Sequence, residues 1–330
     1  MSAPIVITGA AGFIGMHVAE ALLARGHRVV GLDNLNAYYD PALKEARLAR
    51  LRAHPGFAFE RIDLADRAAA PALLAQLRPT RIVHLAAQAG VRYSMTHPHA
   101  YIDANVAGFL NVLEAARALA QEGAFTHLVY ASSSSVYGAN TQTPFSVEHR
   151  VDAPVSLYAA TKRANELMAL VYARQFGVVA TGLRFFTVYG PWGRPDMAAF
   201  KFTRALLADE PIDVYNHGQL QRDFTYIDDI VTGVLAVLER PAPPVEGVPH
   251  ALYNIGNHRA EPLLHFIDVL AHALNLNRPP RMNMLPMQAG DVLSTYADTA
   301  PMQRDFGWRS TTRIEEGLAR YVAWYRQYYG

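Results

Sequence analysis

The sequence predicts a doubly wound, parallel α/β sheet followed by a smaller mixed α/β lobe, on three observations. Short β-branched runs alternate with helical periodicity through the first half of the chain. A glycine-rich turn joins the first run to the first helix, and the alternation stops after Gly190, where proline and glycine become denser. Strands alternating with helices imply a parallel sheet, and right-handed crossovers place helices on both of its faces.

In order, residues 4–8 read as a strand because Ile5-Val6-Ile7-Thr8 is a continuous β-branched run. Residues 13–24 follow as a helix, 28–33 as a strand and 41–53 as a helix opened by Pro41. Further strands are expected at 58–62, 81–85, 127–131 and 178–184, with helices over 68–76, 97–120 and 154–176. Residues 1–184 form one expected domain. Residues 185–330 form a second lobe of short helices and strands, with some chain crossing back to the first.

The bulk composition removes several function classes. Of 330 residues, 51% are hydrophobic and 18% charged, which describes a well-buried globular chain. A formal net charge of +1 offers no global field for nucleic acid or an anionic membrane. No cysteine is present, so disulfides, thiolate metal sites and a cysteine nucleophile are excluded. The thirteen histidines are dispersed, and His97 and His99 lack a carboxylate partner in the sequence, so no metal is expected. No apolar run is long enough to span a bilayer and no leader pattern precedes Ile5, so a cytoplasmic location is expected.

Gly9-Ala-Ala-Gly12-Phe13-Ile14-Gly15 follows the first strand and opens the first helix, the context that gives a glycine pattern meaning. Gly9 permits the tight turn, Gly12 lets the backbone approach a pyrophosphate, and Gly15 allows close helix packing. The helix N-terminus adds amide donors and a positive dipole end. Asp33, 24 residues beyond Gly9 and followed by Asn34, stands where an acid grips a ribose 2'-hydroxyl. Its charge would repel a 2'-phosphate, so NAD is favoured over NADP.

Tyr158-Ala-Ala-Thr-Lys162 carries the chemistry. Positions i and i+4 share a helix face, so phenol and ammonium point the same way. A tyrosine with a reference pKa of about 10 is a poor base at neutral pH, and a fixed cation favours its phenolate. Ser133, Ser134 and Ser135, within the run from Ser132, provide a hydroxyl to hold a substrate oxygen while Tyr158 takes its proton. That equipment oxidises an alcohol when a hydride acceptor lies alongside.

These motifs, with His84-Leu-Ala-Ala-Gln88 and Val136-Tyr137-Gly138, together resemble the extended short-chain dehydrogenase/reductases over essentially the whole chain. The resemblance implies a Rossmann domain holding NAD and a C-terminal lobe holding a nucleotide sugar. By the same likeness, Asp63 and Leu64 line the adenine pocket, and Leu85, Ala86, Ala87, Gln88 and Asn105 run along the cofactor. Lys162 bonds the nicotinamide ribose, and Phe185 and Val188 frame the nicotinamide.

The residues beside the serine select the reaction. Sugar dehydratases resemble Thr-Asp-Glu at this point, and nucleotide-sugar decarboxylases place a glutamate there; this chain has serines and no carboxylate. It can oxidise and re-reduce a hydroxyl but lacks the extra acid–base pair for elimination, which is what a 4-epimerase needs. The segment from Leu183 to Met197 and the segment Asp33–Asp40 look like those of UDP-glucuronate 4-epimerases. Thr187 and the Arg194 fork are expected to meet a sugar carboxylate, since guanidinium pairs with it through two bonds. Arg92 is a weaker candidate beside the sugar or a phosphate. The likeness also assigns Arg222 to the diphosphate, Tyr215 to stacking on uracil and Asp291 to the uridine ribose. Gln288 departs from an arginine common in glucose epimerases, and Thr295 stands where some use an aromatic gate.

The expected activity is NAD-dependent interconversion of UDP-glucuronate and UDP-galacturonate. The alternatives are a 4-epimerase of neutral UDP-sugars, an NAD-binding sensor without catalysis, and a decarboxylase. The apolar helices over 97–120 and 154–176 are expected to pair across a two-fold axis as a four-helix homodimer interface.

Overall fold

The computed structural model describes residues 3–287 and 292–330. Strand β1 (Ile5–Thr8) is buried at every position and turns into helix α1 (Phe13–Ala24). β2 (Val29–Asp33), α2 (Pro41–Arg52), β3 (Phe57–Arg61), α3 (Ala69–Leu77) and β4 (Arg81–His84) continue the alternation. The Asp40 carboxylate accepts from the Ala42 amide at the head of α2, and Pro41 sits where a missing N–H costs nothing.

The helix expected over 97–120 is broken. Short helices α4 (Tyr93–Thr96) and α5 (Pro98–Tyr101) lead into a π-helical turn, Ile102–Ala107, and then α6 (Gly108–Gln121). Pro98 cannot donate to the preceding turn, so it starts a new helix. The π turn is pinned by Asn105, whose side chain accepts from the Gln88 amide at 2.8 Å and donates to the Gln88 carbonyl at 3.0 Å. Such turns recur at functional sites.

Strand β5 (His127–Ser133) runs longer than expected, into the serines, and a 3-10 turn covers Ser134–Tyr137. Helix α7 (Leu157–Phe176) begins at Ser156, whose hydroxyl accepts from the Ala159 amide at 3.1 Å, and ends at Gly177 with φ 67. It starts three residues later than expected because Ser156 is extended and serves as the N-cap, so helical geometry begins only after it. β6 (Ala180–Phe185) follows.

The second half contains β7 (Thr187–Tyr189), α8 (Ala198–Leu207), β8 (Ile212–Val214), β9 (Gln221–Arg222), β10 (Phe224–Tyr226) and α9 (Ile227–Glu239). It continues with β11 (His250–Ile255), β12 (Glu261–Pro262), α10 (Leu263–Ala273), β13 (Met282–Met284), α11 (Ala300–Phe306) and α12 (Ile314–Tyr329). No helix among the described residues is long and apolar enough to cross a membrane.

Seven strands form one parallel sheet in the order β11-β6-β5-β4-β1-β2-β3. Chain direction across the sheet reverses at β1, between β2 and β4, and ligands bind outside the carboxyl ends of strands at such a switch point. Six of the seven strands match sequence expectations. The seventh, β11, comes from the second half and pairs with β6, while α9 packs on α1 and β5.

Side chains alternate across the sheet. Ile5 and Ile7 face one core cluster, which continues into Phe266 and Trp324 of the second lobe, and Val6 faces the other with Leu113 and Ala169. This cluster draws on both halves of the chain, and residue 184 lies within β6. Pairs β10–β7, β12–β9 and β13–β8 complete the smaller lobe.

Candidate active site

The glycine turn lies at the switch point. Gly9 adopts φ +72, and a Cβ there would lie 2.7 Å from the Ala86 amide nitrogen. A Cβ on Gly15 would lie 2.1 Å from the Gly9 carbonyl oxygen, so α1 could not approach the turn. Gly12 caps α1 without any side chain over its free amides, which leaves them for an anion. The Asp33 carboxylate accepts from the Ala11 amide at 3.1 Å and the Leu35 amide at 2.8 Å, which ties the acid to the turn. Asn34 donates to Asp63 at 3.2 Å, so two expected cofactor residues meet directly. A bare helix terminus, a turn that excludes side chains and an acid at the end of β2 fit a dinucleotide. Among dinucleotides they fit the expected NAD, since the Asp33 charge would repel a 2'-phosphate.

The rest of the expected cofactor wall is ordered by the backbone. Leu85 and Ala86 amides donate to the Thr8 hydroxyl at 3.2 and 3.1 Å, and Ala87 leads to Gln88. Asn105 acts on Gln88 instead of pointing outward, because both ends of its amide are engaged there and at the Thr161 hydroxyl, 3.1 Å away. Leu64 is buried, with its carbonyl held by Asn111 at 2.7 Å. Phe185 at the end of β6 and Val188 in the middle of β7 are buried, and Phe13 lies within the core while Ile14 packs against it.

Tyr158 and Lys162 occupy one face of α7 beside the end of β5. The electrostatics differ from the sequence expectation. Burial pushes the Tyr158 phenol up; a hydrogen bond with Ser133 and the Arg194 charge pull against it without restoring its ordinary value. Lys162 sends its ammonium to the Ala131 carbonyl at 2.9 Å, toward the sheet, and burial brings it down to about 8 against the opposing charge of Glu166. The cation drawing the phenol down is therefore Arg194, from the loop between β7 and α8. Ser133 also accepts from the Ser135 amide at 3.1 Å, so the turn aims its hydroxyl; Ser134 and Ser135 are only partly buried.

Thr187 and Arg194 line one cavity, with Val188, Met197 and Phe200. Arg194 is not free: its Nε donates to Asp196 at 2.9 Å, and its Nη2 donates to the other oxygen. Tyr38 donates to the same carboxylate at 3.0 Å. Asp196 therefore holds one edge of the guanidinium and leaves the edge carrying Nη1 for a ligand. The expected two-bond fork is limited to that remaining edge.

Arg92 and Tyr215 come together, the guanidinium carbon lying 5.1 Å from the ring centroid. Arg222 Nη1 donates to the Gln221 carbonyl at 2.9 Å, beside Asp223. Asp223 is buried and accepts from the Asn257, His258 and Ala297 amides at 2.6, 3.1 and 3.0 Å and from the Thr225 hydroxyl at 2.8 Å. Burial still raises it to about 6. It knots three segments behind the expected diphosphate strand. Thr295 faces this knot, its amide donating to the Gln221 carbonyl at 3.2 Å. Asp291 and Gln288 lie outside the described residues.

Residues 5–256 match the model of the NAD dependent epimerase/dehydratase family. The chain belongs to this family. It is 46% identical to a probable UDP-glucuronate 4-epimerase of Rhizobium meliloti, covering 98% of this chain and 97% of that protein. Identity to UDP-glucuronate 4-epimerase 3 of Arabidopsis thaliana is 45%, over 98% of this chain and 77% of the relative. Among solved structures, UDP-glucuronic acid 4-epimerase from Bacillus cereus in complex with UDP-glucuronic acid and NAD superposes with a TM-score of 0.89 at 31% identity. It covers 99% of this chain and 100% of that one.

One group of this epimerase/dehydratase site went unnoticed in the sequence. Glu166, one turn beyond Lys162, is buried and accepts from Ser132 at 2.6 Å, Arg163 at 2.9 Å and Arg184 at 2.8 and 3.0 Å. Arg184 also reaches the Tyr137 hydroxyl at 3.1 Å, which donates to Asn254 at 2.7 Å. This network binds α7 to β5, β6 and β11. The available signal was the i, i+4, i+8 spacing of Tyr158, Lys162 and Glu166 on one face. Among the described residues no group of three or more His, Asp or Glu gathers as a metal cage.

Proposed function

We propose that the chain epimerises UDP-glucuronate and UDP-galacturonate at C-4. The observation that carries this reading is Tyr158, bonded to Ser133 and electrostatically coupled to Arg194, with no carboxylate free to act beside it. Glu166 has its oxygens engaged by Arg184, Arg163 and Ser132, and Asp196 by Arg194 and Tyr38. Neither is free to supply the acid that elimination needs. Bound NAD supplies the acceptor and later the donor of the C-4 hydride.

Ser133 orients the C-4 hydroxyl and Tyr158 removes its proton, the role of a positioned general base. Arg194 supplies the charge that favours the phenolate, while Lys162, mostly charged at pH 7 and turned to the Ala131 carbonyl, is assigned to the nicotinamide ribose. The 4-keto sugar turns about its phosphate link and presents its other face, and Tyr158 returns the proton. Oxidising a hexuronate at C-4 makes a β-keto acid, which loses carbon dioxide readily. Thr187 and the open edge of Arg194 restrain that carboxylate out of alignment for C–C cleavage. Arg222, Tyr215 and Asp291 are assigned to the UDP portion, with Arg92 stacked on Tyr215 as a neighbour.

A second reading, epimerisation of neutral UDP-sugars, is favoured by one observation: Asp196 already neutralises Arg194. Incubation with UDP-glucuronate and UDP-glucose in turn, followed by chromatography, separates the readings; conversion of UDP-glucose alone rejects the first. A Tyr158→Phe variant is expected to lose on the order of 100-fold or more in turnover while keeping NAD, and unchanged turnover would dismiss the base.

The homodimer belongs to this proposal. Leu167 and Val171 of α7 and Leu110 of α6 are 47%, 53% and 40% exposed, although α6 and α7 pack together. A second copy pairing the same helices would cover them. Sedimentation at micromolar concentration should give a dimer, and only monomer would remove the idea.

A further inference from the structure

Arg47 of α2 is wholly buried, and all five of its N–H groups are engaged. Nη1 donates to the Ala11 carbonyl at 3.0 Å and the Tyr39 hydroxyl at 2.6 Å. Nε and Nη2 donate to the Trp192 carbonyl at 3.2 and 2.6 Å, and Nη2 also to the Gly193 carbonyl at 3.2 Å. Its partners are three carbonyls and a phenol, not a carboxylate. Burying a cation without a countercharge is costly, and an apolar side chain of similar volume would serve stability as well or better. The geometry points to a role in placement.

The two ends of this clasp are the two halves of the site. Ala11 belongs to the glycine turn; its amide donates to Asp33 and its carbonyl accepts from Arg47, so one residue links the two. Trp192 and Gly193 come directly before Arg194 in the chain. Trp192 has φ 63, a left-handed conformation that a tryptophan seldom adopts, so the turn needs holding from outside. The neighbouring contacts come from the same side: His17 of α1 meets the Pro191 carbonyl at 3.0 Å, and Tyr38 donates to Asp196.

We propose that Arg47 is a positioning residue that fixes the turn at 191–194 against the glycine-rich cofactor turn, and so sets where Arg194 meets the sugar. This rests on the reading of Arg194 as a sugar contact. A change at the cofactor turn then reaches the substrate side through one guanidinium, with no ligand contact of its own required.

The test is a double-mutant cycle between Arg47→Lys and Arg194→Ala, read as Kd for the UDP-sugar by calorimetry and as kcat/KM, with bound NAD measured in every variant. Coupled residues give non-additive losses. The expected result is a loss of about tenfold or more from Arg47→Lys in the parent, falling below about threefold in the Arg194→Ala background, with NAD retained throughout. Equal losses in both backgrounds, or loss of NAD from Arg47→Lys, overturn the proposal. If Arg47→Lys does not fold, His17→Phe removes only the Pro191 bond and runs through the same cycle; no loss or an equal loss in both backgrounds overturns it. Parent protein that converts UDP-glucose but not UDP-glucuronate defeats the substrate reading separately, and the cycle is then read on UDP-glucose.

Discussion

Glu166 grips the guanidinium of Arg184 through two bonds, 2.8 and 3.0 Å long, with both side chains 1% exposed. The pair joins the helix of Tyr158 and Lys162 to the strand that ends at Phe185. Breaking a buried pair by removing one charge leaves the other uncompensated, at about 3–5 kcal/mol. Glu166→Gln is therefore expected to lose stability of that order in urea unfolding.

The same variant should change the pH profile. Glu166 is the group that raises Lys162 against burial, which holds it at about 8. Without that charge Lys162 titrates lower, so the limb on which activity falls as pH rises should move toward neutral pH. Turnover measured from pH 6 to 9.5 checks it. A limb that stays in place would mean Lys162 is not the group whose charge is needed.

Arg194→Ala should raise KM for UDP-glucuronate by about 10–100-fold, the range expected for a charged hydrogen bond. It should also release pentose, because the β-keto acid is no longer held. Full affinity with no pentose in the product chromatogram would refute the carboxylate role.

Asp223→Asn should destabilise by about 2–5 kcal/mol, since an amide in place of the carboxylate leaves buried N–H donors facing its own NH2. Four donors converge on that carboxylate, from Thr225, Asn257, His258 and Ala297. Urea unfolding of the variant measures the loss, and a change under about 0.5 kcal/mol would argue against the knot.

The parallel sheet was legible because β-branched runs such as Ile5–Thr8 report burial on both faces directly. β11 was missed: its partner, β6, lies some 70 residues earlier, and nothing local in His250–Ile255 announces that pairing. The glycine turn, Asp33, Tyr158 and Lys162 could be named because each has a spacing rule, while Ser133 was named only as one of three candidates in a serine run. Arg47 and Asp196 could not, since their meaning lies in carbonyls and a guanidinium brought close only by the fold. The π turn at Asn105 escaped for a similar reason: helical periodicity continues through it while the hydrogen bonding changes.

In the proposed reaction the hydrogen leaving C-4 returns to C-4 of the same sugar while Tyr158 handles only the proton. Turnover of UDP-glucuronate deuterated at C-4, followed by NMR of the product, tests it. The expected product is UDP-galacturonate with deuterium retained at C-4 and no pentose. Loss of that deuterium to solvent, or a deuterated pentose as the main product, would contradict it.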